Sequence, residues 1–317
     1  MAISLAAAPF AGHRATERGR MPQAIGHRGY NAVFPENTMA AFRGAVEVGA
    51  HAIEADLHLS KDGVIVLSHD ATLKRCYGLA ERVSACDWAQ LSKLRTLREP
   101  KQPVARLVDL LEYLAQPAQA HIWLLLDLKM HDNSTDMLSH LVTLLASIPS
   151  EPPWHQRIVL GPWNAEWVAA CIRFLPDFPI TLIAYLPAYA SAMLPFPNLN
   201  FNLYNYSFAT PSGSRFRNQA KEHNRLVFSW SDNEEEWMAA SIHNEVDGVI
   251  TDDPKRFLEL CDQWSLEDVR ERASKGTIKQ TILWLIINGL NSFAGMISRL
   301  VQGSPESRVK EVLAFEL

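Results

Sequence analysis

A closed (β/α)8 barrel of the TIM type is the fold class this sequence predicts, and three observations predict it. Eight short apolar runs of strand length recur between residues 24 and 251. Stretches with helical apolar spacing lie between them, the pattern of parallel strands joined by crossover helices. Neither of the glycine loops that mark a nucleotide-binding open sheet, GxGxxG or GxxxxGK, occurs in the chain. With 317 residues, 48% of them hydrophobic, there is enough apolar material for one large core of this kind.

Taken in order, the first strand is read at 24–29, followed by a helix over 38–48 with Asn37 as its cap. The second strand spans 52–59. Lys61-Asp62-Gly63 turns the chain into an extended run at 64–69. A helix near 107–115 precedes the third strand, 122–129, and another follows it at 135–148. Strands four to eight are read at 157–163, 180–186, 199–205, 226–230 and 248–251. A last helix covers 254–261, with Pro254 suited to its first turn.

The barrel domain is thus expected over 24–264, between an N-terminal extension (1–23) and a C-terminal tail (265–317). Residues 1–23 carry a short apolar run, Ile3 to Phe10, and then Arg14, Arg18 and Arg20. No basic residues precede the run, so it does not read as a secretory signal, and a disordered extension is expected. In the tail, residues 281–298 contain no charge, yet Asn288, Asn291, Ser292, Gly295 and Ser298 recur at spacings of three and four. That pattern fits a helix lying in or crossing a membrane, and a membrane-associating tail is the expectation. A helix covering the barrel floor is the alternative. The net charge of -5 offers no basic surface for nucleic acid. Cys76, Cys86, Cys171 and Cys261 form no CxxC pair and read as reduced thiols of a cytosol-facing protein.

The polar residues that stand out fall at the carboxyl ends of the strands, the rim where such barrels place their active sites. His27-Arg28-Gly29 ends strand one. In strand two Glu54 and Asp56 share a face, because strand side chains alternate. Asp127 and Lys129 share a face at the end of strand three, and Ser68-His69-Asp70 follows the second strand. Carboxylates inside a barrel need a compensating cation. Glu54, Asp56 and Asp127 make an oxygen donor set for a hard ion, Mg²⁺ first and Ca²⁺ second, rather than zinc. Histidine suits acid–base chemistry near neutral pH, and Arg28 and Lys129 suit phosphate oxygens. His58 has the parity to reach the same site.

In combination, GHRGYNAVFPENTMAAF, AIEADLHLSKDGVIVLSHD, LLLDLK and GVITDDP resemble the signatures of the glycerophosphodiester phosphodiesterase family, in the family's order and over about 24–264. The resemblance implies a TIM barrel that cleaves phosphodiesters with a divalent metal. It implies His27 and His69 as general base and acid, and Lys129 as stabiliser of the charged transition state. Arg28 would bind phosphate, and Trp230 would shape the head-group pocket unless it is a core aromatic. Glu54, Asp56 and Asp127 would hold the metal. The third ligand is usually Glu, so direct ligation by the shorter Asp127 is open. Residues 71–106 leave little room for the small subdomain of many bacterial members.

A narrower resemblance, carried by RIVLGPWNAEW, FSWSDN and the apolar tail, is to fungal phosphatidylglycerol-specific phospholipases C. It implies phosphatidylglycerol as substrate, diacylglycerol and glycerol phosphate as products, and a membrane surface as partner. The rival readings are a glycerophosphodiesterase of soluble deacylated lipids and a non-catalytic lipid-binding protein.

Overall fold

The structure, a computed structural model, describes residues 5–265 and 267–274. A 3-10 turn at Pro9–Ala11 leads into a hairpin of β1 (Arg14–Thr16) and β2 (Gly19–Met21). The barrel strands follow as β3 (Gln23–His27) and β4 (Ala52–Leu59), then, after a short antiparallel β5 (Ile65–Leu67), as β6 (Trp123–Leu128), β7 (Ile158–Gly161), β8 (Thr181–Ala184), β9 (Asn200–Tyr204), β10 (Val227–Trp230) and β11 (Gly248–Thr251). The helices are α1 (Met39–Glu47), α2 (Lys74–Tyr77), α3 (Trp88–Leu91), α4 (Leu107–Leu114), α5 (Ser134–Ser147), α6 (Ala165–Phe174), α7 (Pro187–Met193), α8 (Pro211–Glu222), α9 (Glu235–His243) and α10 (Pro254–Gln263).

Every barrel strand pairs in parallel with its neighbours, in the spatial order β7-β6-β4-β3-β11-β10-β9-β8. The remaining seam, between β7 and β8, is closed by the Leu160–Ile180 bridge and by the Ile183 N–H donating to the Pro162 carbonyl at 2.8 Å. All eight strands expected from the sequence are present, two with the expected bounds and the others with ends displaced by at most two residues.

Alternation along each strand sorts the side chains. On β4, Ile53, Ala55, Leu57 and Leu59 join Phe42, Leu107 and Leu111 in the large cluster between barrel and helices. The opposite face starts with Ala52 at the floor and rises through Glu54 and Asp56. Ala52, Ile25, Trp123, Leu125, Val159, Phe228 and Ile250 fill the inside of the barrel. Below the carboxyl rim the interior is therefore a packed apolar plug, and polar chemistry is confined to the top.

The N-terminal segment departs from expectation. Residues 5–21 are not a loose extension; they close the floor. Ala8 and Ala11 are buried with the inner cluster, and Phe10 meets the Trp123 ring edge-on at 5.9 Å between centroids. Gln23 ties the parts together, donating to the Phe10 carbonyl at 2.9 Å and accepting from the Trp123 indole at 2.7 Å. The physical reason is the open lower end of a parallel barrel, which needs an apolar cover. Ala8, Phe10 and Ala11 supply one from within this segment.

His51, beside this floor, accepts the Ala24 N–H on Nδ1 at 2.8 Å. Burial, with the Arg14 guanidinium close by, pushes its imidazole down to about 4. The folded chain thus holds His51 neutral, whereas the unfolded chain takes up a proton below about pH 6.5. Stability from this group is full above that pH and is lost as the pH falls towards 4, by on the order of 2 kcal/mol. Urea unfolding of wild type and His51→Gln across this window checks it. The wild type is expected to show the steeper acid loss, and equal slopes would refute the assignment.

Residues 68–106, expected to leave little room for a separate subdomain, are short in regular structure. They form a compact excursion on the carboxyl side with α2, α3 and a small core of their own, including Leu73, Tyr77, Val83, Leu91 and Val104. The segment is short, but its apolar residues are spaced closely enough to bury one another. The uncharged run 281–298 lies outside the described residues. Among those described, no helix is long and apolar enough to cross a membrane.

Candidate active site

The turn after β3 sets the geometry. Arg28 and Gly29 both have positive φ, 58° and 84°. A Cβ at Gly29 would come within 2.6 Å of the Ala41 backbone, so only glycine fits there. The strained Arg28 backbone, in a region non-glycine residues rarely adopt, aims its N–H at Glu54 Oε2, 2.8 Å away. Its side chain donates to Glu36 Oε1 at 2.9 Å, with Nε 3.3 Å from Asp56 Oδ2.

Asp56 is almost fully enclosed. The Asn37 amide donates to its Oδ2 at 2.7 Å, and Lys129 Nζ lies 2.7 Å from its Oδ1. Asn37 is therefore not the cap of α1. Thr38 takes that role, accepting the Ala41 N–H at 3.3 Å. Asn37 sits at φ 55°, a conformation asparagine tolerates, and is spent on Asp56 from both ends, also accepting the Asp56 N–H at 3.2 Å. Lys129 also reaches Asp127 Oδ2 at 2.5 Å, and the Trp163 indole donates to Asp127 Oδ1 at 2.6 Å.

Glu54, Asp56 and Asp127 are all buried, with ligand oxygens within 4.8 Å of one another. Three carboxylates face two cations, Arg28 and Lys129. The imbalance falls on Glu54, whose carboxyl is pushed well above its usual range by burial and then by the charges of Asp56 and Asp127. Asp56 goes the other way: burial would raise it, but Lys129 and Arg28 outweigh burial and hold it ionised. A shared, all-oxygen, under-compensated pocket fits a hard divalent cation.

The two expected imidazoles line the same cavity, a space of about 120 Å³ also bounded by Arg28, Lys129, Trp163, Tyr185, Asn202 and Trp230. Each is backed by a carboxylate. His27 Nδ1 lies 2.6 Å from Asp252 Oδ1, and Asn233 donates to the other Asp252 oxygen at 2.8 Å. His69 Nδ1 lies 2.8 Å from Asp70 Oδ1, and Arg75 holds Asp70 at 2.8 Å. In both, a carboxylate on Nδ1 fixes that nitrogen as the donor and leaves Nε2 for chemistry. Burial lowers the His69 imidazole although Asp56 pulls it upward.

All eight residues singled out from the sequence, His27, Arg28, Glu54, Asp56, His69, Asp127, Lys129 and Trp230, therefore meet in one pocket. His58 does not reach it. Its Nδ1 pairs with Asp132 at 2.7 Å, and its Nε2 lies 3.4 Å from the His69 carbonyl, behind the catalytic face. Trp230 packs against the inner apolar cluster and also borders the cavity, where with Tyr185 and Tyr204 it forms an aromatic wall, ring centroids 5.0–5.1 Å apart. Sequence reasoning gave no role in the site to Asn37, which it read as a helix cap, or to Asp252, Trp163 or Tyr185.

An all-oxygen cation pocket flanked by two carboxylate-backed imidazoles and two fixed cations, at the mouth of a closed parallel barrel, defines a barrel hydrolase of anionic esters. More particularly, the chain belongs to the glycerophosphoryl diester phosphodiesterase family, whose profile matches residues 27–256. It is 25% identical over 242 residues to a glycerophosphodiester phosphodiesterase of Caldanaerobacter subterraneus, which covers 74% of this chain and 96% of that protein. It is 29% identical over 196 residues to the mouse lysophospholipase D GDPD1, covering 58% of this chain but 60% of the mouse protein. Among solved structures, its fold is similar to that of an Oleispira antarctica phosphodiesterase in complex with sn-glycerol-3-phosphate, with a TM-score of 0.65 at 20% identity over 76% of this chain and 97% of that one.

Proposed function

We propose that the protein is a metal-dependent phosphodiesterase acting as a phospholipase C on phosphatidylglycerol, releasing diacylglycerol and glycerol phosphate. The observation that carries this reading is the pair of imidazoles, each with Nε2 unclaimed by its carboxylate, lining one small cavity with an oxygen-donor cation site. Glu54, Asp56 and Asp127 would hold the ion, Mg²⁺ in the first instance, and it would supply Lewis-acid stabilisation of phosphoryl oxygens.

The chain's own groups perform the rest. With Asp252 holding Nδ1–H, His27 Nε2 takes the proton of the head-group hydroxyl next to the phosphoester. That oxygen attacks phosphorus, and the bond to the diacylglycerol oxygen breaks. His69 gives the leaving oxygen its proton. Water then opens the cyclic phosphate with the two histidines in exchanged roles, which returns both to their starting states. An arriving phosphodiester monoanion offsets the effect of burial on His69 and favours its protonated form. Arg28 and Lys129 face the same cavity with fixed positive charge where negative charge develops. Trp230 and Tyr185 bound the side on which the glycerol rests.

The uncharged run 281–298 would keep the enzyme on a cytosol-facing membrane beside its substrate. A second reading, hydrolysis of soluble glycerophosphodiesters, is favoured by the Caldanaerobacter relative, matched over nearly its whole length. The mechanism requires a hydroxyl vicinal to the phosphoester. Mixed vesicles should therefore lose phosphatidylglycerol and keep phosphatidylcholine, and EDTA should stop the loss. Equal consumption of both lipids would refute the internal nucleophile. Faster turnover of glycerophosphoglycerol than of vesicle-borne phosphatidylglycerol would favour the second reading.

A further inference from the structure

Large apolar side chains exposed to water on the described residues are not scattered. Val33, Leu79, Leu97, Met130 and Tyr185 all lie on segments that follow the carboxyl ends of barrel strands. Val33 is in the loop after β3, Met130 follows β6 and Tyr185 follows β8. Leu79 and Leu97 lie in the excursion 68–106. Two of these loops are locked into one edge. The Arg98 guanidinium donates to the Phe34 carbonyl at 3.0 Å and the Ala32 carbonyl at 2.8 Å, bracketing Val33. Leu97 packs over Gly78, next to Leu79. Tyr185, on the same end of the barrel, lines the catalytic cavity itself.

The charge of the same excursion is the second observation. Residues 68–106 hold eight Lys or Arg and four Asp or Glu, a surplus of four positive charges in a chain whose net charge is -5. Part of that surplus has no internal use. Lys74 and Lys101 are exposed and have no carboxylate within ion-pair distance among the described residues. They sit beside the apolar edge: Gly78 N–H donates to the Lys74 carbonyl at 3.0 Å, and the Thr96–Gln102 turn that carries Leu97 also carries Lys101. Apolar tips interspersed with unpaired cations match an anionic lipid surface, acyl chains below and phosphates above. They match neither water nor an acidic protein face, which would leave the leucines uncovered.

We infer that the catalytic rim, through Val33, Leu79, Leu97, Lys74 and Lys101, docks on an anionic lipid bilayer and holds the cavity mouth against it. This goes beyond the phosphatidylglycerol reading, because a membrane-bound tail alone would leave the orientation of the barrel undetermined. The docked rim lets a lipid head group enter the cavity while its acyl chains stay in the bilayer.

Amide hydrogen exchange of the full chain tests it, with vesicles of phosphatidylserine in phosphatidylcholine as the probe. Phosphatidylserine has no hydroxyl vicinal to its phosphoester and is not consumed under the proposed mechanism. Amides of 74–101 are expected to slow with these vesicles and not with phosphatidylcholine alone. Lys74→Glu with Lys101→Glu, and separately Leu79→Asp with Leu97→Asp, are expected to erase that protection. At about fivefold per cation, the charge pair should weaken vesicle binding by this face at least about twentyfold. Turnover of glycerophosphoglycerol should stay unchanged in both variants. Protection confined to 281–298, protection equal on phosphatidylcholine, or protection surviving both pairs of substitutions overturns the inference, as does vesicle-independent protection that grows with protein concentration. Protection without turnover of vesicle phosphatidylglycerol supports the docking face and removes the phospholipase reading instead.

Discussion

His27→Ala is expected to lower kcat by about a thousandfold, within the range of a positioned general acid–base group, while the fold and metal binding survive. The imidazole stands on a strand end, its partner Asp252 is reached from β11, and Asn233 still holds that carboxylate after the ring is gone. Asp252→Asn should produce a smaller loss, because the ring remains but its Nδ1 is no longer tied to a charged acceptor. The measurement is single-turnover release of glycerol phosphate, with the divalent-ion affinity of each variant measured separately. Unaltered turnover by His27→Ala would remove the acid–base assignment. Equal losses in the two variants would mean that Asp252 acts as more than an orienting group.

Glu54→Gln should separate stability from function. The substitution keeps shape and keeps an oxygen for the Arg28 N–H. It removes the carboxylate with the least compensation in a cluster of three acids and two bases. The metal-free protein is expected to melt at the same temperature or higher, since repulsion from Asp56 and Asp127 is relieved. Activity is expected to fall on the order of a thousandfold, and the rise in Tm that Mg²⁺ gives the wild type should vanish. A variant that melts lower without metal, yet keeps the ion-induced rise, would show that Glu54 belongs to the scaffold and not to the ion.

Much of this site was legible because strand alternation is a strict rule. Once 52–59 is read as a strand, Glu54 and Asp56 must share a face, and the apolar parity of Ile53, Ala55 and Leu57 says which face looks outward. The strand ends then bring His27, Asp127 and Lys129 to the same rim. What stayed hidden depends on choices that local sequence does not encode. Asn37 and Thr38 are both good helix caps, and only the position of Asp56 decides that Asn37 is used elsewhere. Asp252 and Asp253 are adjacent and chemically identical. The first turns to His27, while the second caps α10 by accepting the Arg256 N–H at 2.9 Å. His58 shares the parity of the ligands, but β4 runs on past the rim and carries it beyond the cavity to Asp132. The role of 5–21 was missed because an apolar run near a terminus has no period that distinguishes a cover from a tail.

The floor of the barrel has a bearing on how the molecule is made. Phe10 packs on a cluster that includes residues 123 and 228, so a growing polypeptide exposes the segment from 5 to 21 for most of its synthesis. Barrel closure and burial of that segment must then fall late and together, as a single long-range step rather than a local one. Until β10 has emerged, these residues lack part of the inner cluster that covers them in the finished barrel.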